Sequence, residues 1–122
     1  MTTFVDTSAL LALLDRHDEH HVDATAAWAA LASQDAALVT TNYVVVETLA
    51  VAQHRLGLDA VRGWVREVLP LLDVVFVDSA VHETALASML AAGRRHLSLV
   101  DCVSFEIIRR MRLRSAFAYD RH

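Results

Sequence analysis

Lysine is absent. All eleven basic residues of this 122-residue chain are arginines. Without a Gly-Lys pair or a Gly-x-Gly-x-x-Gly run, P-loop and dinucleotide sites are excluded. Glycine occurs only at 57, 63 and 93 and proline only at 70, so there is no linker, repeat or low-complexity tract. The chain is expected to be one domain, residues 1–122. The one cysteine, Cys102, has no internal disulfide partner. The longest uninterrupted apolar run is Ala26–Ala32, far short of the roughly 20 residues that a spanning helix needs, which excludes a membrane span. The N-terminus has no basic region and meets an acid at Asp6, so it does not read as a signal peptide. Together these features predict a cytoplasmic protein in a reducing compartment.

What is present is apolar and unevenly charged. Hydrophobic residues make up 55% of the chain, which suits a large core and leaves apolar surface for an oligomer or partner interface. The net charge is −4. Residues 1–93 hold 12 acids against 4 arginines, whereas residues 94–122 hold 7 arginines against 3 acids. A basic patch of this kind is what a phosphate backbone requires, and it is equally what a solvated helix face looks like.

Short apolar runs alternate with longer helical patterns. The runs Thr3–Val5, Ala37–Thr40, Val74–Val77 and Ala116–Tyr119 read as buried parallel strands. Helices are expected to open at Thr7/Ser8, Asp18, Thr41/Asn42, Asp59, Ser79 and Ser98. They should end near Leu14, Ala32, His54, Val68, Ala92 and Met111. The pattern predicts an α/β sandwich with a parallel central sheet, in which ligands bind outside the carboxyl ends of the strands.

That rule directs attention to four acids. Asp6 follows the first strand and Asp120 the last. Glu47 lies in a helix whose only polar residues between Tyr43 and Ala52 are Glu47 and Thr48. A helix apolar nearly all round is expected to be buried, and a buried glutamate needs a cation. No lysine exists, and arginine is absent from that helix until Arg55, so a metal ion is the economical partner; the alternative is that Glu47 sits on a narrow exposed stripe. Asp101 sits at the spacing of a capping box with Ser98, a purely structural alternative. Asp6 likewise has a structural reading as a helix N-terminal acid. Four clustered carboxylates repel one another, and a divalent cation offsets that penalty. Oxygen-only ligation selects Mg²⁺ or Mn²⁺, and such a site suits phosphodiester hydrolysis.

At these residues the chain resembles a known family. Val5-Asp-Thr-Ser-Ala-Leu10, Thr41-Asn-Tyr-Val-Val-Val-Glu-Thr-Leu49, Leu97-Ser-Leu-Val-Asp-Cys-Val-Ser-Phe105 and Ala116-Phe-Ala-Tyr-Asp-Arg-His122 look like the four blocks of PIN domains. More narrowly they resemble the VapC-type toxins of bacterial toxin–antitoxin pairs. The resemblance implies a PIN-like three-layer sandwich with a short central parallel sheet flanked by helices. It implies a Mg²⁺- or Mn²⁺-dependent endoribonuclease, a homodimer, inhibited by a cognate VapB-type antitoxin. On that reading Asp6 and Asp101 are the principal metal ligands, and Glu47 and Asp120 complete the pocket directly or through water. Thr7 and Ser8 add a hydroxyl nearby. Family members usually continue past the last block, so a short tail is expected beyond His122.

Other residues stay open. His17, His20 and His21 have helical ligand spacing but lack a closed set of four, so a solvated helix start competes with a role at the rim of the site. Trp28 and Trp64 read as core or interface. Arg109, Arg110, Arg112 and Arg114 suit RNA phosphates, a partner's acidic tail or a solvated face. Cys102 reads as a small buried apolar residue. Receiver domains and haloacid-dehalogenase-like phosphatases depend on a lysine that is missing. The remaining rivals are a non-catalytic PIN-fold module binding RNA or a partner, and a nuclease acting on DNA.

Overall fold

The computed structural model describes residues 1–119. Four strands, β1 (Thr2–Val5), β2 (Ala37–Thr41), β3 (Asp73–Val75) and β4 (Ser115–Phe117), form one sheet in the order β3-β2-β1-β4. Every pairing is parallel. Six helices flank it: α1 (Thr7–Leu14), α2 (His21–Ser33), α3 (Asn42–Leu56), α4 (Leu58–Glu67), α5 (Ser79–Ala92) and α6 (Leu99–Met111). This is the α/β sandwich with a short central parallel sheet that the alternating pattern implied.

β1 lies between β2 and β4, and three of its four residues are buried. Phe4 and Val5 are fully buried, and each such burial stabilises the fold by roughly 1.5–3 kcal/mol. Leu10 of α1, Val44 of α3 and Val103 of α6 close over them. Trp64 is buried in the same cluster, and Trp28 packs against its edge, so both tryptophans belong to the core. No helix among the described residues is long and apolar enough to cross a membrane.

Side chains decide where the elements start and stop. Thr41 caps α3 by accepting from the Val44 amide at 3.2 Å. Ser98 caps α6 in a full capping box. Asp18 was expected to open α2, but its carboxylate accepts from the His20 amide at 2.8 Å within a turn, and the helix begins at His21. Asp78, rather than Ser79, caps α5 through the Val81 amide. β3 ends at Val75, because the Val77 amide is taken by Asn42 Oδ1 at 2.8 Å.

The chain order reverses at β1. β1, β2 and β3 step outward in one direction, and β4 returns to the other side of β1. The crevice outside the carboxyl ends of β1 and β4 is therefore the switch point where an open parallel sheet binds its ligands.

Candidate active site

β1 runs directly into Asp6, whose backbone is extended and continues the ladder by donating to the Phe117 carbonyl at 3.0 Å. Asp6 occupies the N-cap position of α1 but makes no capping hydrogen bond. Its Oδ2 instead accepts from Ser8 Oγ at 3.0 Å. The Ser8 oxygen in turn accepts from the Tyr119 amide at 2.8 Å. One buried hydroxyl thus ties the acid after β1 to the chain after β4. That tie also ends β4 at Phe117, short of the expected Tyr119, because the Tyr119 amide is taken from the ladder.

Asp101 lies in the first turn of α6. Its carboxylate accepts from the Ser98 amide at 3.0 Å while its own amide donates to Ser98 Oγ at 3.0 Å. The capping box is real, and it aims a carboxylate at the sheet edge. Glu47 lies in the second turn of α3. Here the expectation of a fully buried helix is corrected: Glu47 is half-buried, and Val46 beside it is 65% exposed. The apolar run in α3 includes a solvent-facing stripe, so burial does not oblige Glu47 to pair. Its placement in the site stands on where it points.

Asp6, Glu47 and Asp101 line a single cleft of about 890 Å³. Phe4 and Ala116 of the sheet share it. One wall is the face of α3 carrying Glu47, Val51 and Arg55 at four-residue steps. The other is the face of α6 carrying Asp101, Ser104, Phe105 and Ile108. Asp120 falls outside the described residues, although Tyr119 immediately before it lines the cleft.

The cleft also holds residues that the sequence did not single out. Arg55, Arg94 and His96 stand on its rim, whereas the charge pattern points to Arg109, Arg110, Arg112 and Arg114. None of those four lines it. Arg109 and Arg110 are both bonded to Glu106, whose carboxyl is held below its ordinary pKa by hydrogen bonds from the two guanidiniums. A faint signal for Arg55 existed in its spacing of two helical turns from Glu47. Arg94 and His96 follow Gly93, the left-handed cap of α5, in the short loop that delivers Asp101.

Among the described residues the histidines do not converge on a metal site. His21 Nδ1 donates to the Ala12 carbonyl at 2.7 Å, and His20 stacks on Tyr119 with centroids 4.3 Å apart and planes 8° apart. The histidine-rich segment therefore reaches the cleft rim through Tyr119. Burial, and after it the charges of Asp23 and Asp18, push the Tyr119 hydroxyl above its ordinary pKa. Cys102 is buried beside the site, and burial reinforced by the Asp101 charge raises its thiol. That leaves a neutral thiol rather than a nucleophile.

Among the described residues no three His, Cys, Asp or Glu side chains converge closely enough to hold an ion by themselves. Mg²⁺, however, keeps several waters and takes only one or two carboxylates from a protein. The donors facing the cleft are mainly oxygens, and the buried hydroxyls of Thr7 and Ser104 on its walls have no hydrogen-bond partner among the described residues. An unpaired buried hydroxyl costs about 1–3 kcal/mol, and two at one carboxylate-lined cleft fit a hydrated hard cation.

Known proteins resemble this chain in sequence and fold. The chain is 30% identical over 118 residues to the 23S rRNA-specific endonuclease VapC20 of two Mycobacterium tuberculosis strains, covering 96% of the chain and 88% of the relative. The crystal structure of M. tuberculosis VapC20, described as a Sarcin-Ricin loop cleaving toxin, superposes with a TM-score of 0.83 at 29% identity, over 98% of this chain and 90% of that one. VapBC2 from Rickettsia felis, solved with a DNA fragment from its promoter, superposes with a TM-score of 0.63 at 9% identity over 98% and 100% of the two chains, a likeness of fold alone. The sequence profile of the PIN domain matches residues 3–122. With its strand order, its acid-lined switch point and that match, the chain belongs to the PIN-domain family.

Proposed function

We propose that the chain is a Mg²⁺- or Mn²⁺-dependent endoribonuclease acting as the toxin of a toxin–antitoxin pair. The observation that carries this reading is the meeting of Asp6, Glu47 and Asp101 in one cleft at the carboxyl edge of the sheet. The likeness to an rRNA-specific endonuclease supports RNA as the substrate class. The resemblance to VapC-type toxins adds a VapB-type antitoxin and a second copy of the chain as the expected partners.

Asp6 and Asp101 would hold the ion, with Glu47 and Asp120 completing the site directly or through water. When bound, such an ion lowers the pKa of water towards neutrality and offsets charge on the phosphate oxygens. Ser8 fixes the Asp6 carboxylate, and the Ser98 amide fixes that of Asp101. Thr7 and Ser104 stand in the walls beside these acids, with buried and unpartnered hydroxyls.

Purified protein is expected to cleave RNA in Mg²⁺ or Mn²⁺ and not in excess EDTA. Asp6→Asn and Asp101→Asn should each abolish cleavage while circular dichroism reports an intact fold. Expression should arrest growth, and a co-expressed antitoxin should restore it. Undiminished cleavage in EDTA or in either variant would remove the metal assignment. The absence of a convergent three-ligand cluster among the described residues favours a second reading, a PIN-fold module that binds RNA or a partner without cutting. RNA binding with no cleavage in any divalent metal would select it.

A further inference from the structure

The cleft carries residues that hydrolysis does not require. On α6, Phe105 stands four residues after Asp101, one turn or about 6 Å further along the same face. It is 57% exposed, whereas Ser104 and Glu106 on either side are buried. Across from it, α3 ends its cleft-facing row on Arg55, and the loop between α5 and α6 supplies Arg94 and His96. Among the described residues Arg55 and Arg94 make no ion pair, unlike Arg62, Arg66, Arg109 and Arg110, which pair elsewhere.

An exposed aromatic ring beside uncommitted guanidiniums is the chemistry that binds single-stranded nucleic acid. The ring takes the π-face of a base, and the cations follow its phosphates. A guanidinium pairs with phosphate through two parallel hydrogen bonds. A paired duplex keeps its bases stacked on one another, so a ring one helical turn from the catalytic carboxylates meets a base only where a nucleotide is splayed out. The cleft volume of about 890 Å³ also lies near the upper end for small-ligand pockets, which leaves room for such a nucleotide beside the acids.

We propose that Phe105, Arg55 and Arg94 form a nucleotide subsite in which Phe105 stacks on an unpaired base and the arginines hold its flanking phosphates. The subsite rests on the ribonuclease reading above and adds to it the part of the substrate that the protein recognises.

The test uses a short fluorescein-labelled single-stranded RNA and the same strand annealed to its complement. Binding is measured by anisotropy over a salt series in the Asp6→Asn background, where turnover is blocked. The single strand should bind at least tenfold more tightly than the duplex. Phe105→Ala should weaken single-strand binding by about 5- to 100-fold, the range of one lost base stack, and leave the salt dependence unchanged. Phe105→Trp should restore binding. Arg55→Gln and Arg94→Gln should each lower the slope of log K against log salt by about 0.7, one phosphate of a single strand. Arg62→Gln, outside the cleft, should change nothing. With Asp6 intact, Phe105→Ala should raise KM and leave kcat within about twofold.

Single-strand binding within twofold of the parent in Phe105→Ala overturns the subsite. So does equal affinity for the duplex. A change in sedimentation mass with RNA binding retained would place Phe105 in a protein interface and equally overturns it. These failures leave cleavage by the wild type intact. A wild type that neither binds nor cleaves RNA overturns the ribonuclease reading itself, and the subsite with it.

Discussion

Ser8→Ala isolates the hydroxyl that joins the two strand ends of the site. It removes a hydrogen bond to the Asp6 carboxylate at 3.0 Å and the acceptor for the Tyr119 amide at 2.8 Å. Hydrogen bonds to charged groups contribute about 1.5–3 kcal/mol. This one is only part-buried, which places it at about 1 kcal/mol. The orphaned Tyr119 amide adds about 1–2 kcal/mol, since it too is partly reached by water. Alanine recovers up to about 0.5 kcal/mol through its better helix propensity in α1. The net loss is about 2 kcal/mol. At roughly 2.1 cal/mol/K per residue of unfolding entropy, a 122-residue domain should lose about 8 °C in Tm. Differential scanning fluorimetry reads that loss. RNA cleavage assayed well below the variant's Tm should show kcat down by about tenfold or more with KM little changed, because a loosened Asp6 misplaces a group used in the reaction itself. Ser8→Thr keeps the hydroxyl and should recover most of both. A Tm within about 2 °C of wild type together with unchanged kcat would refute the role of the tie. A lowered Tm with unchanged kcat would show that it holds β4 and not the carboxylate.

Metal binding has a readout other than turnover. At roughly ten times its Kd, Mg²⁺ should stabilise the fold by about 1.4 kcal/mol, a rise of about 5 °C in Tm. Asp6→Asn should not show the rise. The pairing of Glu106 with Arg109 and Arg110 depends on pH with a definite sign. The Glu106 carboxyl titrates below its ordinary value near 4.5, so its stabilisation is complete above that pH and fades as pH falls through the depressed folded value. Urea denaturation of Glu106→Gln should therefore show a deficit at pH 7 that shrinks below about pH 4. Loss of the His20–Tyr119 stack in His20→Ala should cost about 0.5–1.5 kcal/mol. His20→Phe should recover it, and an alanine variant as stable as wild type would show that the stack contributes nothing.

The fold was legible wherever local chemistry and tertiary demand agree. β1 is a short apolar run with Asp6 at its end, and the caps at Thr41 and Ser98 place α3 and α6 to the residue. Boundaries slipped where a polar side chain spends its hydrogen bond away from the element it precedes. Asp18 turns back on the His20 amide. Asn42 takes the Val77 amide and shortens β3, and Ser8 takes the Tyr119 amide and shortens β4. Nothing local announces those partners, because the last two span 35 and 111 residues of chain.

The site divides along the same line. Its acids were legible because a parallel sheet gathers whatever follows its strands, so Asp6 announces itself by position alone. Asp101 was legible by two readings that the structure makes one: the capping box that orders the first turn of α6 also fixes a carboxylate at the cleft. The apolar run around Glu47 suggests a buried helix, yet Val46 and Ala50 leave one side of α3 open to solvent. What places Glu47 is its phase on the helix, in step with Val51 and Arg55. The same phase could have indicated Arg55. In a sequence, however, an arginine in the last turn of a helix reads as a partner for the helix dipole. Only once α3 and α6 face each other across Asp6 does that arginine become half of a phosphate-binding rim. Charge counts point to arginines outside the cleft for a related reason. Glu106 sits one turn before Arg109 and Arg110 and binds both, whereas Arg55 and Arg94, the arginines that line the cleft, are claimed by no acid among the described residues.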